Sequence, residues 1–264
     1  MQPHFVIPST TSHKHEALVA SLEGFAQLGL RDLDLNLNHI VDKETPVDAV
    51  ERALAANRQR VWMVSGGWCD FFDTGAKAEV TFGSVTRQIA LARRFGVDRM
   101  RLFFGRLPVE RATPRAIEDA AVNIRRVVGP NPDLLFAFEN HDGASSRPEV
   151  CRDVLQAVDR PNARLNYDPI NFEHAGVDSF AALDVVAPLV AHVHLKGIDS
   201  EGHFCEFGAG RIDLTPAIKR LIAGGYAGGF SVEYEGPYDR TLRLYQGLRT
   251  ARQAIAAIAA AVVI

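Results

Sequence analysis

Thr113-Pro114, then Ile117, Ala121, Ile124 and Val128 on one face, then Gly129-Pro130, then Leu134-Leu135-Phe136-Ala137-Phe138 reads as one helix followed by one strand. The threonine caps, the proline takes the first helical position, and the Gly-Pro pair stops the helix. The apolar run that follows does not alternate, as expected of a strand buried on both faces in a parallel sheet. It ends on Glu139-Asn140-His141. Side chains alternate along a strand, so Glu139 and His141 point the same way.

The same unit repeats in both directions. Further strands are expected at Phe5 to Ile7, Leu33 to Leu37, Val61 to Val64, Met100 to Phe104, Arg164 to Tyr167, Val190 to Leu195 and Phe230 to Tyr234. Between them, apolar residues recur at helical spacing: Leu18, Leu22, Phe25 and Leu28 before Gly29; Val47, Val50 and Leu54 after Thr45-Pro46; Val85, Ile89 and Ala92 before Gly96. Helices also follow Pro148, near Phe180 to Val186, and between Thr215-Pro216 and Gly224-Gly225. The last helix carries Leu244, Leu248, Ala251, Ile255, Ile258 and Val262 on one stripe. Eight strand-helix units in 264 residues, about 33 residues each, predict a closed (β/α)8 TIM barrel. An open doubly wound sheet is the competitor, but no GxGxxG follows the first strand. Nothing divides the chain, so residues 1–264 are expected to form one domain.

Composition bounds the function. The chain is 47% hydrophobic and 23% charged, with a net charge of −3, so no electrostatic pull toward nucleic acid or an anionic membrane is expected. Three cysteines without CxxC spacing suggest a reducing compartment. The start, Met1 to Pro8, shows no signal-peptide pattern, and the Ala-rich run Ala254 to Ile264 is too short to span a bilayer. A cytoplasmic protein is expected, and the Ala-rich end is a candidate contact for a homo-oligomer.

Chemistry concentrates at the strand ends. Glu139, Asp168, His194 and Glu233 stand there on successive strands, 29, 26 and 39 residues apart. In a (β/α)8 barrel these ends floor the active site. Three carboxylates and an imidazole suit one hard or borderline divalent ion, Mn²⁺, Mg²⁺ or Co²⁺, and Zn²⁺ also fits. Singly, each has a duller reading: Glu139 as a cap or ion-pair residue, a strand-end histidine as a hydrogen-bonded core residue. Four in order favour the metal. His192 sits deeper and reads as structural. Lys196 would be expensive to bury alone and is a candidate for binding substrate oxygen, as is His141. Trp68 and Phe72, after the third strand, could cover an apolar face of a ligand or pack in the core. Glu235 reads as structural, and Gly208-Ala209-Gly210 as a loop hinge.

The ordered set Glu139-Asn140-His141, Asn166-Tyr167-Asp168-Pro169, His192-Val193-His194-Leu195-Lys196-Gly197, Gly208-Ala209-Gly210-Arg211-Ile212-Asp213 and Ser231-Val232-Glu233-Tyr234-Glu235 resembles the xylose isomerase-like barrel superfamily. Within it, the chain is most similar to the sugar isomerases and epimerases that include tagatose epimerase, hydroxypyruvate isomerase and the inosose-processing enzymes. The resemblance implies that Glu139, Asp168, His194 and Glu233 bind one divalent metal, and that Glu139 and Glu233 flank the substrate as acid and base. Such a metal, holding a carbonyl and its neighbouring hydroxyl, acidifies the intervening C–H and stabilises an enediolate. Isomerisation or epimerisation of a small sugar, ketose or polyol-derived ketone is the expected activity. A lyase of the inosose or dehydroshikimate dehydratase type is the alternative on the same site. Many members carry a histidine three residues after the aspartate; here Asn171 stands there as the substrate-binding candidate. The dense histidine set of the related DNA repair endonucleases is missing, so nuclease activity is not expected.

Overall fold

The computed structural model describes residues 5–262. The first four residues of the expected leader-free start, and residues 263 and 264 of the Ala-rich tail, lie outside the described residues. Among the described residues ten strands are seen: β1 Val6–Pro8, β2 Asp32–Asn36, β3 Arg60–Ser65, β4 Arg99–Phe103, β5 Leu135–Glu139, β6 Ala163–Tyr167, β7 Val190–Leu195, β8 Gly197–Ile198, β9 Phe204–Cys205 and β10 Gly229–Val232. Eight of them form a sheet in the order β1-β10-β7-β6-β5-β4-β3-β2. Its first and last members meet at the parallel bridge between Ser9 and Asp34, which is the order of a (β/α)8 barrel. The described helices are α1 Leu18–Gln27, α2 Asn38–Val41, α3 Val47–Ala56, α4 Ala76–Arg94, α5 Pro114–Val128, α6 Pro148–Val158, α7 Pro169–His174, α8 Ser179–Val186, α9 Thr215–Ala223 and α10 Arg240–Val262. None of these helices is long and apolar enough to cross a membrane.

The chain forms two compact units, residues 66–192 and the remainder. In the unit of residues 66–192, β4 pairs with β5 and β5 with β6, all parallel. Helix α5 begins as expected: the Thr113 hydroxyl accepts from the Ala116 amide, with Pro114 at the first position. Its face Ala120, Ala121, Ile124, Val127 and Val128 is buried. Each fully buried valine or isoleucine contributes roughly 1.5–3 kcal/mol relative to exposure. Asp168 and Asp178 cap α7 and α8 through their carboxylates.

In the other unit, β1 pairs with β10 and β2 with β3, again parallel. Leu18, Leu22 and Phe25 of α1 and Val50 and Leu54 of α3 are buried against this layer, whereas Leu28 is 37% exposed beyond the end of α1. Pro46 does not open α3 as its first residue. It is extended, with φ −60° and ψ 125°, and the helix starts at Val47 without a side-chain cap. The short hairpin of β8 and β9 was not anticipated from the sequence pattern. It accounts for Gly210, one of the two glycines read as a hinge. A Cβ on Gly210 would lie 2.7 Å from the Ile198 nitrogen, so the backbone there packs directly on β8.

Two histidines of this unit are buried without an evident catalytic task. His13 packs edge-on against Phe25 and lies 3.0 Å from the Thr241 hydroxyl, and His39 lies 3.2 Å from the Thr10 carbonyl. Burial lowers the pKa of both from the usual 6.5. Their neutral forms are favoured when folded, so stability is complete above pH 6.5 and is lost as pH falls below it. The slope reaches on the order of 1.4 kcal/mol per pH unit for each histidine. Melting temperature is therefore expected to drop between pH 7.5 and 5.5, and the His13→Gln/His39→Gln variant should drop less. An unchanged pH slope in that variant would refute the assignment.

Candidate metal centre

Within residues 66–192, β5 ends on Glu139, which is 3% exposed. Its register partners are Phe103 of β4 and Asn166 of β6. One carboxylate oxygen, Oε2, lies 3.2 Å from Nε of Arg101, itself buried on β4. Arg101 also donates through Nη1 to the Gly66 carbonyl at 2.9 Å, and its guanidinium lies 4.2 Å from the Phe103 ring centre. The other oxygen of Glu139, Oε1, is 3.4 Å from the Asn171 amide nitrogen, which donates to the Asn140 carbonyl at 2.9 Å. Asn171, the candidate substrate contact, is 8% exposed and reaches Glu139 through its side-chain amide.

Asp168 follows β6 directly and is fully buried. Oδ1 caps α7 by accepting from the Ile170 and Asn171 amides, both at 3.0 Å. Oδ2 takes no part in that cap. Asn140 clamps the residue from both sides, accepting from the Asp168 amide and donating to its carbonyl, each at 2.8 Å. Glu139 and Asp168 thus present carboxylate oxygens within 4.8 Å of each other. The reciprocal clamp uses both the donor and the acceptor of the Asn140 side-chain amide.

Beside them stands an aromatic wall. Phe103 packs edge-on against His141, with centroids 5.0 Å apart, and at a tilt against Trp68 at 5.2 Å. Trp68 is 41% exposed. Arg106 lies 4.4 Å over the Trp68 ring and donates to Asp142, which is also 3.3 Å from Nδ1 of His141. Two sequence candidates, Trp68 and His141, therefore both pack on the Phe103 ring. Phe72 instead is buried.

In the other unit, His194 of β7 is fully buried, with Nδ1 3.5 Å from Oε2 of Glu233 and Nε2 3.6 Å from Oδ2 of Asp34. The Glu233 amide donates to the Leu195 carbonyl at 2.9 Å, which ties its position to the end of β7. Glu233 is 3% exposed, and its Oε1 is buried with no hydrogen-bond partner. Lys196 is 2% exposed, 3.8 Å from Glu233 and 2.9 Å from Glu235. Glu235 also binds Lys14 at 2.5 Å. The Lys196 ammonium beside it, seconded by Lys14, holds the Glu235 carboxyl far below the usual carboxylate range. Glu235 is the counter-ion that makes a buried Lys196 affordable.

Sequence reasoning missed Arg101, Phe103, Arg106 and Asp34. All four sit on or just after strands, where a charged or aromatic residue at an inward position was the available signal.

The fold is a (β/α)8 barrel with carboxylates and an imidazole buried at its strand ends. The chain belongs to the xylose isomerase-like TIM barrel family, whose model matches residues 19–260. No curated protein sequence matches it. Among solved structures it is similar to an L-ribulose 3-epimerase, at 15% identity and TM-score 0.80, over 97% of this chain and 96% of that one. A xylose isomerase-like TIM barrel protein from Mycobacterium smegmatis in complex with magnesium is similar at 15% identity and TM-score 0.79, over 98% and 100%. The probable 3-DHS dehydratase AsbF from Bacillus anthracis is similar at 16% identity and TM-score 0.75, over 94% and 98%. At these identities the likeness is one of fold.

Proposed function

We propose that this chain, acting as a single barrel domain, is a divalent-metal-dependent isomerase or epimerase of a small sugar, ketose or polyol-derived ketone. The observation that carries this reading is the donor set. Glu139, Asp168, His194 and Glu233 are all 3% exposed or less, and Glu233 retains an oxygen that no protein group satisfies. Burying carboxylates is costly unless they are paired or bind a cation, so an orphaned oxygen in such a set fits a ligand role. Three carboxylates and one imidazole suit Mg²⁺, Mn²⁺ or Co²⁺, with Zn²⁺ compatible. The ion would supply Lewis-acid polarisation of a carbonyl and its neighbouring hydroxyl.

The protein's own groups do the rest. Glu233 removes the proton from the carbon between those oxygens, and Glu139 returns one, or the reverse. Arg101 and Asn171 keep Glu139 in place through the exchange. Lys196, held ready by Glu235, offers an N–H to a substrate oxygen. Trp68 and His141 present an apolar edge and a polar tip to the carbon skeleton. Return of the proton to the adjacent carbon isomerises; return to the same carbon from the opposite face epimerises.

The test is incubation of the metal-loaded protein with a ketose and inosose panel in D₂O, followed by NMR. Deuterium is expected at a carbon next to a carbonyl, and EDTA should abolish it. Loss of water in place of exchange would reassign the reaction to the lyase class. No exchange with any substrate despite bound metal would overturn the enzymatic reading.

A further inference from the structure

We propose that Asp34 is a positioning residue that orients the His194 imidazole for metal ligation; this rests on the reading of His194 as a ligand. An imidazole that gives one nitrogen to a metal commonly gives its other N–H to a carboxylate or carbonyl, which fixes the ring and strengthens the donor. The two nitrogens of His194 are already sorted in this way. Nδ1 faces Glu233, the fellow ligand, and Nε2 faces Oδ2 of Asp34 at 3.6 Å. Nδ1 is thus the ligating nitrogen, and Nε2 carries the proton that is turned toward Asp34.

Asp34 is built for that task. It lies in the middle of β2 and is fully buried. Its carboxylate accepts the Ser65 hydroxyl at 2.8 Å to Oδ1 and 3.1 Å to Oδ2. Ser65 ends β3, in register with Asn36 two residues beyond Asp34, so the paired strands present the hydroxyl to the acid. The parallel bridge to Ser9 fixes the backbone of Asp34 from the other side. A carboxylate in such surroundings needs charged or hydrogen-bonding company, and the His194 imidazole is part of it. None of the proton-transfer steps uses Asp34.

The test is metal titration of the EDTA-stripped protein with Mn²⁺ against a fluorescent competitor chelator, together with the visible spectrum of the Co²⁺ form. Wild type is expected to bind one equivalent. Asp34→Asn should bind one equivalent about 10–100-fold more weakly, with an altered Co²⁺ spectrum. Ser65→Ala, which keeps the acid but removes its hydroxyl, should weaken binding by a smaller factor. It decides the matter should Asp34→Asn fail to fold. Affinity within twofold of wild type in the folded variants would overturn the proposal. So would a wild type that binds two equivalents of which Asp34→Asn loses one, since Asp34 would then be a ligand. A wild type that binds no metal would instead bring down the ligand reading of His194 itself, and the proposal with it.

Discussion

Glu233→Gln is expected to reduce turnover by about 10³-fold or more while leaving the melting temperature of the metal-free protein nearly unchanged. The amide keeps the shape of the side chain but cannot accept a proton, and it is a poorer ligand for a hard cation. The neighbours tolerate the loss of charge. Lys196 retains Glu235 at 2.9 Å, so no ammonium is stranded. Glu139→Gln should abolish turnover equally but with a different stability signature, because Arg101 at 3.2 Å then faces a neutral amide in a buried place. Measuring kcat and melting temperature on both variants separates chemistry from scaffold. Turnover within tenfold of wild type in either one would sink the proposed acid-base pair.

The strands and helices that position these groups were legible because burial and capping are written locally. Thr113-Pro114 and Gly129-Pro130 bracket a helix by rules that need no knowledge of the rest of the chain. The four ligand candidates stood out in the sequence because each lies at or beside the end of a strand in successive units. What could not be read were pairings between distant residues. In Leu33-Asp34-Leu35-Asn36-Leu37 the alternation ordinarily signals a strand with one face in water. Here both faces are buried; Ser65 donates to the Asp34 carboxylate, Thr11 accepts from the Asn36 side-chain amide, and Thr10 accepts from the Asn36 backbone N–H. Arg101 interrupts the apolar run of β4, and its partner Glu139 stands a whole unit later. Thr45-Pro46 shows the opposite failure, a good local signal overridden. Its threonine amide is tied to the His39 carbonyl, and the helix starts only after the proline.

Arg101→Met is the second large effect. The guanidinium and the Glu139 carboxylate are 4% and 3% exposed, so neither has water to fall back on. Removing one partner of a buried pair strands the other charge and typically destabilises by about 3–5 kcal/mol. Methionine fills much of the arginine stem and can still lie on Phe103, so packing loss is the smaller part of the effect. Three measurements by urea denaturation isolate the electrostatic part. In EDTA, Arg101→Met should unfold at clearly lower urea than wild type. The double variant Arg101→Met/Glu139→Gln should regain a substantial share, because the stranded carboxylate is gone; the recovery is the coupling energy of the pair. Adding Mn²⁺ should stabilise Arg101→Met more than the double variant, since only the former keeps an anionic ligand for the cation to neutralise. A single variant within about 1 kcal/mol of wild type would show that Arg101 matters little to the buried charge of Glu139. A double variant no more stable than the single would place the loss in packing against Phe103 and the Gly66 carbonyl instead.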